Sequence, residues 1–182
     1  GIVFERRTML SVPLGERGLR QSDAVFQHVR NLPKLIEPML QAIDRANSRA
    51  AAVSAKPTAA EESYMPVYLA GKLGAVSVAS SLGVPLYETT HQAGHVRAAL
   101  LGQETLVNES PFLAMHLSGG TTDLLRVHRE DGIVGSIDRI GGCDDLHAGQ
   151  FVDRVGVRLG LSFPSGVSLE ALAREATDHS IK

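Results

Sequence analysis

Two short apolar runs, Ala50–Ala55 and Val84–Tyr87, bracket a helical stretch from about Pro66 to Leu82, and Gly83 stands where that helix must stop. Strand, helix, strand in that order predicts a β-α-β unit and places the chain in the α/β class. Between the first strand and this helix, Lys56–Glu62 reads as a polar loop. Upstream, Val25, Val29, Leu32, Ile36, Met39 and Ile43 recur at a spacing of three and four, which draws one apolar stripe along a helix between Gln21 and about Asn47. That stripe is expected to face a sheet. Pro33 and Pro38 each remove a backbone donor, so the stretch predicts two helices or a kink near residues 31–38.

Residues 1–12 mix β-branched and polar side chains like the second arm of a hairpin, yet no first arm precedes them, so an opening strand is expected to be missing. After a short helix from about His91 to Leu101, Phe112–Leu117 reads as a strand. Ser118-Gly119-Gly120 then turns the chain into a second strand, Thr122–His128, and Ile133–Ile140 gives a third. Two helices follow, near Asp145–Leu159 and Ser168–Ala176, parted by the breaker run Ser162-Phe163-Pro164-Ser165-Gly166. The switch from α/β alternation to a fresh hairpin puts a lobe boundary near Val107–Pro111, with a first lobe over 1–108 and the beginning of a second over 109–182.

The 182 residues are 43% hydrophobic, enough for a buried core. No apolar stretch approaches the roughly 18 to 20 residues of a membrane span, and no segment resembles a signal peptide, so the expected compartment is the cytoplasm. Cys143 is the only cysteine, which excludes an internal disulfide and a cysteine-rich zinc module. With 18 Lys and Arg against 20 Asp and Glu, the net charge of −2 gives no global footprint for a polyanion. The chain has no Trp and few other aromatics, so base-stacking platforms are not expected either.

His91-Gln92-Ala93-Gly94-His95 places two imidazoles on one face of a helix, where they could share a metal ion or simply lie on a solvated surface. Zinc-protease chemistry needs a glutamate directly after the first histidine, and Gln92 stands there. Ser118-Gly119-Gly120-Thr121-Thr122 joins two strands; its bare backbone and hydroxyls could surround a phosphate or form an ordinary hairpin turn. Asp144 and Asp145, followed by Gln150, Asp153 and Arg154, suit a capped helix with a salt-bridged face. Asp153 could instead accept bonds from a ribose, and Gly166 could admit a nucleotide close to the backbone. His116 alternates with Phe112 and Ala114, as a packed, hydrogen-bonded histidine would. His28, His128, His147 and His179 have no partner at a recognisable spacing, and Cys143 reads as a packing residue.

Taken in order, HQAGH, SGGTTDL and GCDDLHAGQFVDRVGVRLGLSFPSG resemble the catalytic subunits of tRNA threonylcarbamoyladenosine synthase, formerly called glycoproteases. That family shows His-x-x-x-His, then Ser-Gly-Gly-His-Thr, then a stretch like Asp-Asp-Ala-Ala-Gly-Glu-Ala-Phe-Asp-Lys leading to Leu-Gly-Leu and a Tyr-Pro-Gly-Gly turn. The likeness runs from about Ala52 to Ala173, while GERGLRQSDAVFQHVRNLP, SYMPV and VPLYETTHQAGH look like a bacterial paralogue branch. Thr121 stands where the family has histidine, Ala93 and Gln150 where it has glutamates, and Ser165 where it has the first glycine of the Pro-Gly-Gly turn.

The resemblance implies an actin-like ATPase fold, shared with sugar kinases and Hsp70, whose two lobes flank a nucleotide cleft and which is here incomplete at both ends. It implies His91 and His95 as ligands of a divalent metal, iron or zinc. It also implies His116, Leu117, Ser118, Gly119 and Gly120 along the substrate or nucleotide phosphates, with Asp153 and Gly166 at the adenosine of ATP or an acyl adenylate. The implied activity is threonylcarbamoyl transfer to an adenosine of tRNA, and any tRNA contact must be local or supplied by a partner subunit. A different reading is a non-catalytic paralogue acting as a homodimer or partner subunit; a third is the metallopeptidase of the family's older name. An incomplete chain would also expose apolar surface where the missing elements pack.

Overall fold

A computed structural model describes residues 2–13, 19–103, 109–131 and 133–176. They form two compact units, Gly1–Gly102 and Gln103–Lys182. Of the expected boundary at Val107–Pro111, Val107 and Asn108 lie outside the described residues.

The first unit runs α1 (Gln21–Ala42), β1 (Ala51–Lys56), α2 (Tyr68–Leu82), β2 (Leu86–Thr90) and α3 (His91–Leu100). β1 and β2 pair in parallel from Ala51 opposite Leu86 to Ser54 opposite Thr89, with an irregularity before Lys56 meets Thr90. α2 makes the crossover that parallel pairing demands. It ends as the sequence predicts: Gly83 takes the left-handed conformation at φ 68°, and its amide bonds back to the Ala79 and Ser80 carbonyls.

Three expectations for this unit need correction. The α1 stripe packs on α2, not on a sheet: a Cβ at Gly74 would lie 3.2 Å from Ile36 Cδ1 and 3.3 Å from Leu32 Cδ2. Small residues make this approach possible, since Ala70 and Gly74 are both buried. Pro33 and Pro38 lie inside one continuous helix, which removes the two-helix alternative. Pro33 is exposed, and its missing donor leaves the Val29 carbonyl without its helical bond. Finally, residues 2–13 form no strand. With no strand beside it, Ser11 bonds through both backbone groups to the Gln27 side-chain amide, at 2.8 and 2.9 Å.

The second unit is the antiparallel meander β3 (Phe112–Leu117), β4 (Thr122–Glu130) and β5 (Ile133–Gly142), followed by α4 (Ala148–Arg158) and α5 (Gly166–Glu175). Leu125 and Val127 are fully buried, and the register puts Ala114 and Phe112 opposite them on the same face. The alternate residues of β3, Leu113, Met115 and Leu117, turn outward and are more than half exposed. No helix among the described residues is long and apolar enough to cross a membrane.

Candidate functional site

In the first unit, α3 starts at His91 because Thr90 caps it, its hydroxyl accepting from the Ala93 amide at 3.1 Å. The helix turns Gln92 and Val96 inward and His91 and His95 outward. The two Nε2 atoms stand 2.9 Å apart, with ring centroids at 4.3 Å and planes at 74°. Imidazole nitrogens bind zinc at about 2 Å, so two nitrogens this close on one exposed face fit two positions of one coordination sphere. Among the described residues no group of three or more His, Cys, Asp or Glu could hold the ion unaided.

Tyr68 on α2 sets its ring edge-on to His91 at 6.1 Å between centroids, and burial pushes its phenol above the ordinary range. Sequence reasoning missed this neighbour, and only its position at the head of α2 could have suggested it.

In the second unit the turn from Ser118 to Thr121 is both hairpin and helix cap. The Ser118 amide donates to the Thr121 carbonyl at 2.8 Å, and Gly120 donates to Ser118 Oγ at 3.2 Å. The first amides of α4 then bond to this turn: Ala148 to Thr122 Oγ1 at 2.7 Å and Gly149 to the Ser118 carbonyl at 3.0 Å. Asp144 and Asp145 are therefore not the caps expected of them; the hairpin serves that end, and α4 begins only at Ala148. Gly149 has to be glycine, because a Cβ there would lie 2.5 Å from the Gly119 nitrogen. Gly119 and Gly120 remain exposed, with nothing within 4 Å of where their Cβ atoms would stand.

Asp144 instead joins an ion cluster behind the turn. Arg139 donates to Asp123 at 2.7 Å and to Asp144 at 2.8 Å, and the Asp123 carboxylate is nearly buried. These partners raise the Arg139 pKa, the hydrogen bond to Asp123 contributing most. The β3–β4 register sets His116 opposite Asp123, on the face of Leu125, whereas Leu117 turns to the other face. The five residues from His116 to Gly120 are thus contiguous without all facing one way.

Further along α4, Asp153 Oδ1 accepts the Ser165 amide at 2.8 Å, and the Ser165 hydroxyl lies 3.3 Å from the same oxygen. Ser165 precedes Gly166, the first residue of α5, so Asp153 and Gly166 come together at the α4–α5 junction. Gly149, Asp153 and Gly156 recur at four and three residues and form one face of α4. That face meets the Ser118–Gly119 turn at one end and Ser165 at the other. A serine just ahead of a helix is an ordinary capping signal and could have disclosed Ser165; nothing in the sequence pointed to Arg139.

The profile of the tRNA N6-adenosine threonylcarbamoyltransferase family matches residues 15–182. Curated relatives bearing that name include one from Prochlorococcus marinus (strain MIT 9303), 34% identical over 146 residues, covering 80% of this chain and 38% of the relative. A second, from Synechococcus sp. (strain CC9902), is 34% identical over 157 residues, covering 81% of this chain and 39% of the relative. A third, from Syntrophobacter fumaroxidans (strain DSM 10017 / MPOB), is 36% identical over 112 residues, covering 62% of this chain and 31% of the relative. The chain thus spans less than two fifths of the length of these relatives. The family profile spans all but the first 14 residues, and on this ground the chain belongs to the tRNA N6-adenosine threonylcarbamoyltransferase family.

Proposed function

We propose that this chain carries the metal- and nucleotide-holding part of an enzyme that moves a threonylcarbamoyl group from its adenylate onto an adenosine of tRNA. The observation that carries the proposal is that one face of α4 holds both the Ser118–Gly120 turn and the Asp153–Ser165–Gly166 junction. Gly149 and Asp153 are separated by about 6 Å of helix rise, a span suited to the phosphate and ribose of one nucleotide. In this reading the exposed Gly119 and Gly120 give phosphate oxygens close access to the backbone, Asp153 accepts from ribose, and Gly166 leaves room for the nucleoside. His116 and Leu117 support the turn from β3.

His91 and His95 would hold a divalent cation, iron or zinc, which supplies a Lewis acid and a template for the acyl adenylate. Gln92 is buried on the opposite side of α3 from this pair, so it offers no counterpart to the glutamate base of a zinc peptidase. The reading brings with it the two-lobed actin-like fold, tRNA as acceptor and a cytoplasmic setting. It also brings a second protein subunit, paralogous or identical, for which the outward apolar residues of β3 are the supporting observation.

Metal analysis together with calorimetric titration of ATP tests the proposal on the wild-type protein and on a His91→Ala, His95→Ala double variant. Bound metal and nucleotide in the wild type, with metal lost from the variant, is the expected result. A folded wild type that binds neither ligand removes the enzyme reading and leaves the non-catalytic partner subunit in its place.

A further inference from the structure

His91 meets rings from two different helices. The Tyr68 ring, at the head of α2, lies edge-on to it with centroids 6.1 Å apart and planes at 69°, while the His95 imidazole of α3 lies at 4.3 Å and 74°. Tyr68 comes from a firmly set element. Its amide donates to the Met65 carbonyl at 3.1 Å, and the Leu69 amide donates to the Pro66 carbonyl at 3.0 Å. Just beyond, α2 is buried at Ala70 and Gly74, and a Cβ on Gly71 would stand 3.8 Å from Val53 of β1. The start of α3 is tied to the loop after β1, where the Gln92 amide donates to the Pro57 carbonyl at 3.0 Å. The backbone therefore holds both helix starts that bring Tyr68 and His91 together.

The histidine pair needs such support. Both imidazoles project from an exposed helix face, where a side chain otherwise samples several rotamers. A cation is chelated only when both Nε2 atoms converge, and freezing a ring at the moment of binding lowers affinity. An aromatic neighbour that fixes the ring beforehand removes part of that cost. We infer that Tyr68 is a positioning residue for the pair: its aromatic ring, not its hydroxyl, holds the His91 imidazole in the orientation that chelates a divalent cation together with His95. The inference rests on the reading that His91 and His95 hold that cation, and adds to it a residue from a second helix. Cation affinity then depends on a ring at position 68 and is indifferent to the phenol oxygen.

Calorimetric titration of the wild type, Tyr68→Phe and Tyr68→Leu with Zn²⁺ and with Co²⁺ tests this. An edge-on aromatic contact predicts that the leucine variant binds each ion about three- to tenfold more weakly, while the phenylalanine variant stays within about twofold. The visible bands of bound Co²⁺ should keep their position in the phenylalanine variant, since no ligand is lost. A phenylalanine variant weakened as much as the leucine one, or with shifted cobalt bands, would assign the effect to the hydroxyl and overturn the inference. A leucine variant that binds like the wild type overturns it too, while leaving the histidine pair standing as the metal site. A wild type that binds neither ion removes the metal reading and this inference together. Circular dichroism checks the fold of the leucine variant, and a measurement without it also decides. In the metal-free wild type and phenylalanine variant, nuclear Overhauser contacts are expected between the ring protons of residue 68 and those of His91; their absence from the wild type would overturn the inference.

Discussion

The two units place their candidate groups in opposite ways. In the first, His91 and His95 project from an exposed helix face, and the work of starting α3 falls to Thr90. In the second, the residues proposed to meet the nucleotide also build the fold: the Ser118 turn caps α4, and Asp153 holds the residue that begins α5. His91 meets the Tyr68 ring and His95 at the surface but starts no helix, so replacing either histidine is expected to cost ligand binding more than stability. A group that also satisfies backbone donors costs stability and binding together. The difference predicts how far the two effects separate in each unit.

Gly149→Ala should give the largest effect. The new Cβ would meet the Gly119 nitrogen at 2.5 Å and the Ser118 carbonyl carbon and oxygen at 2.6 and 2.7 Å, all backbone atoms that cannot rotate aside. α4 has to lift from the turn, giving up the bonds from Ala148 and Gly149. Overpacking combined with a lost cap is expected to cost about 3 kcal/mol, read as a lower urea midpoint, with weakened ATP binding in whatever folds. An alanine variant as stable as the wild type would show that turn and helix are not one unit.

Gly156 and Ser165 sharpen the same point as a pair. Gly156→Ala drives a methyl against a buried side chain and should cost about 1–3 kcal/mol. Ser165→Gly removes that side chain, keeps the amide bond to Asp153, and should cost about 1 kcal/mol by itself. Made together they should cost less than their sum by at least about 0.5 kcal/mol, since each relieves the strain or void the other creates. Strict additivity in the urea series would mean that the contact carries no energy.

What could be read in advance follows the same division. Strand and helix order in both units was legible because it rests on local apolar periodicity and on Gly83. The start of α4 was misjudged because Asp144 and Asp145 resemble caps, whereas the caps in use come from the Ser118–Thr122 hairpin, 26 positions upstream in the case of Thr122. The continuity of α1 through two prolines was hidden too, because its packing lies on α2 and no local propensity records a tertiary contact. His91 and His95 could be paired by spacing, but their 2.9 Å approach and the Tyr68 ring beside them could not. Arg139 carried no signal, since its bond to Asp123 is a matter of strand register.

The first unit should show the converse of the glycine variants. His91→Ala and His95→Ala, taken singly, should each leave the unfolding free energy within about 0.5 kcal/mol of wild type, as surface substitutions do, while bound metal falls. A variant that loses stability as readily as metal would give the pair a structural duty and erase the contrast with α4.

Tyr68 supplies the smallest effect and the only one set by pH. Burial raises its phenol above the ordinary 10.0, so the folded protein holds this proton more firmly than the unfolded chain does. Below pH 10 both states are protonated and Tyr68 adds no slope; as pH rises through 10 and beyond, the unfolded chain ionises first and stability falls. Tyr68→Phe keeps the ring that lies edge-on to His91 and removes the titrating group. Urea midpoints of the two proteins should therefore run in parallel up to about pH 9 and diverge above pH 10, with the phenylalanine variant losing less. Parallel curves throughout would mean that the phenol is as hydrated in the fold as in the unfolded chain, and the ring contact with His91 would then be a surface contact like the imidazole pair beside it.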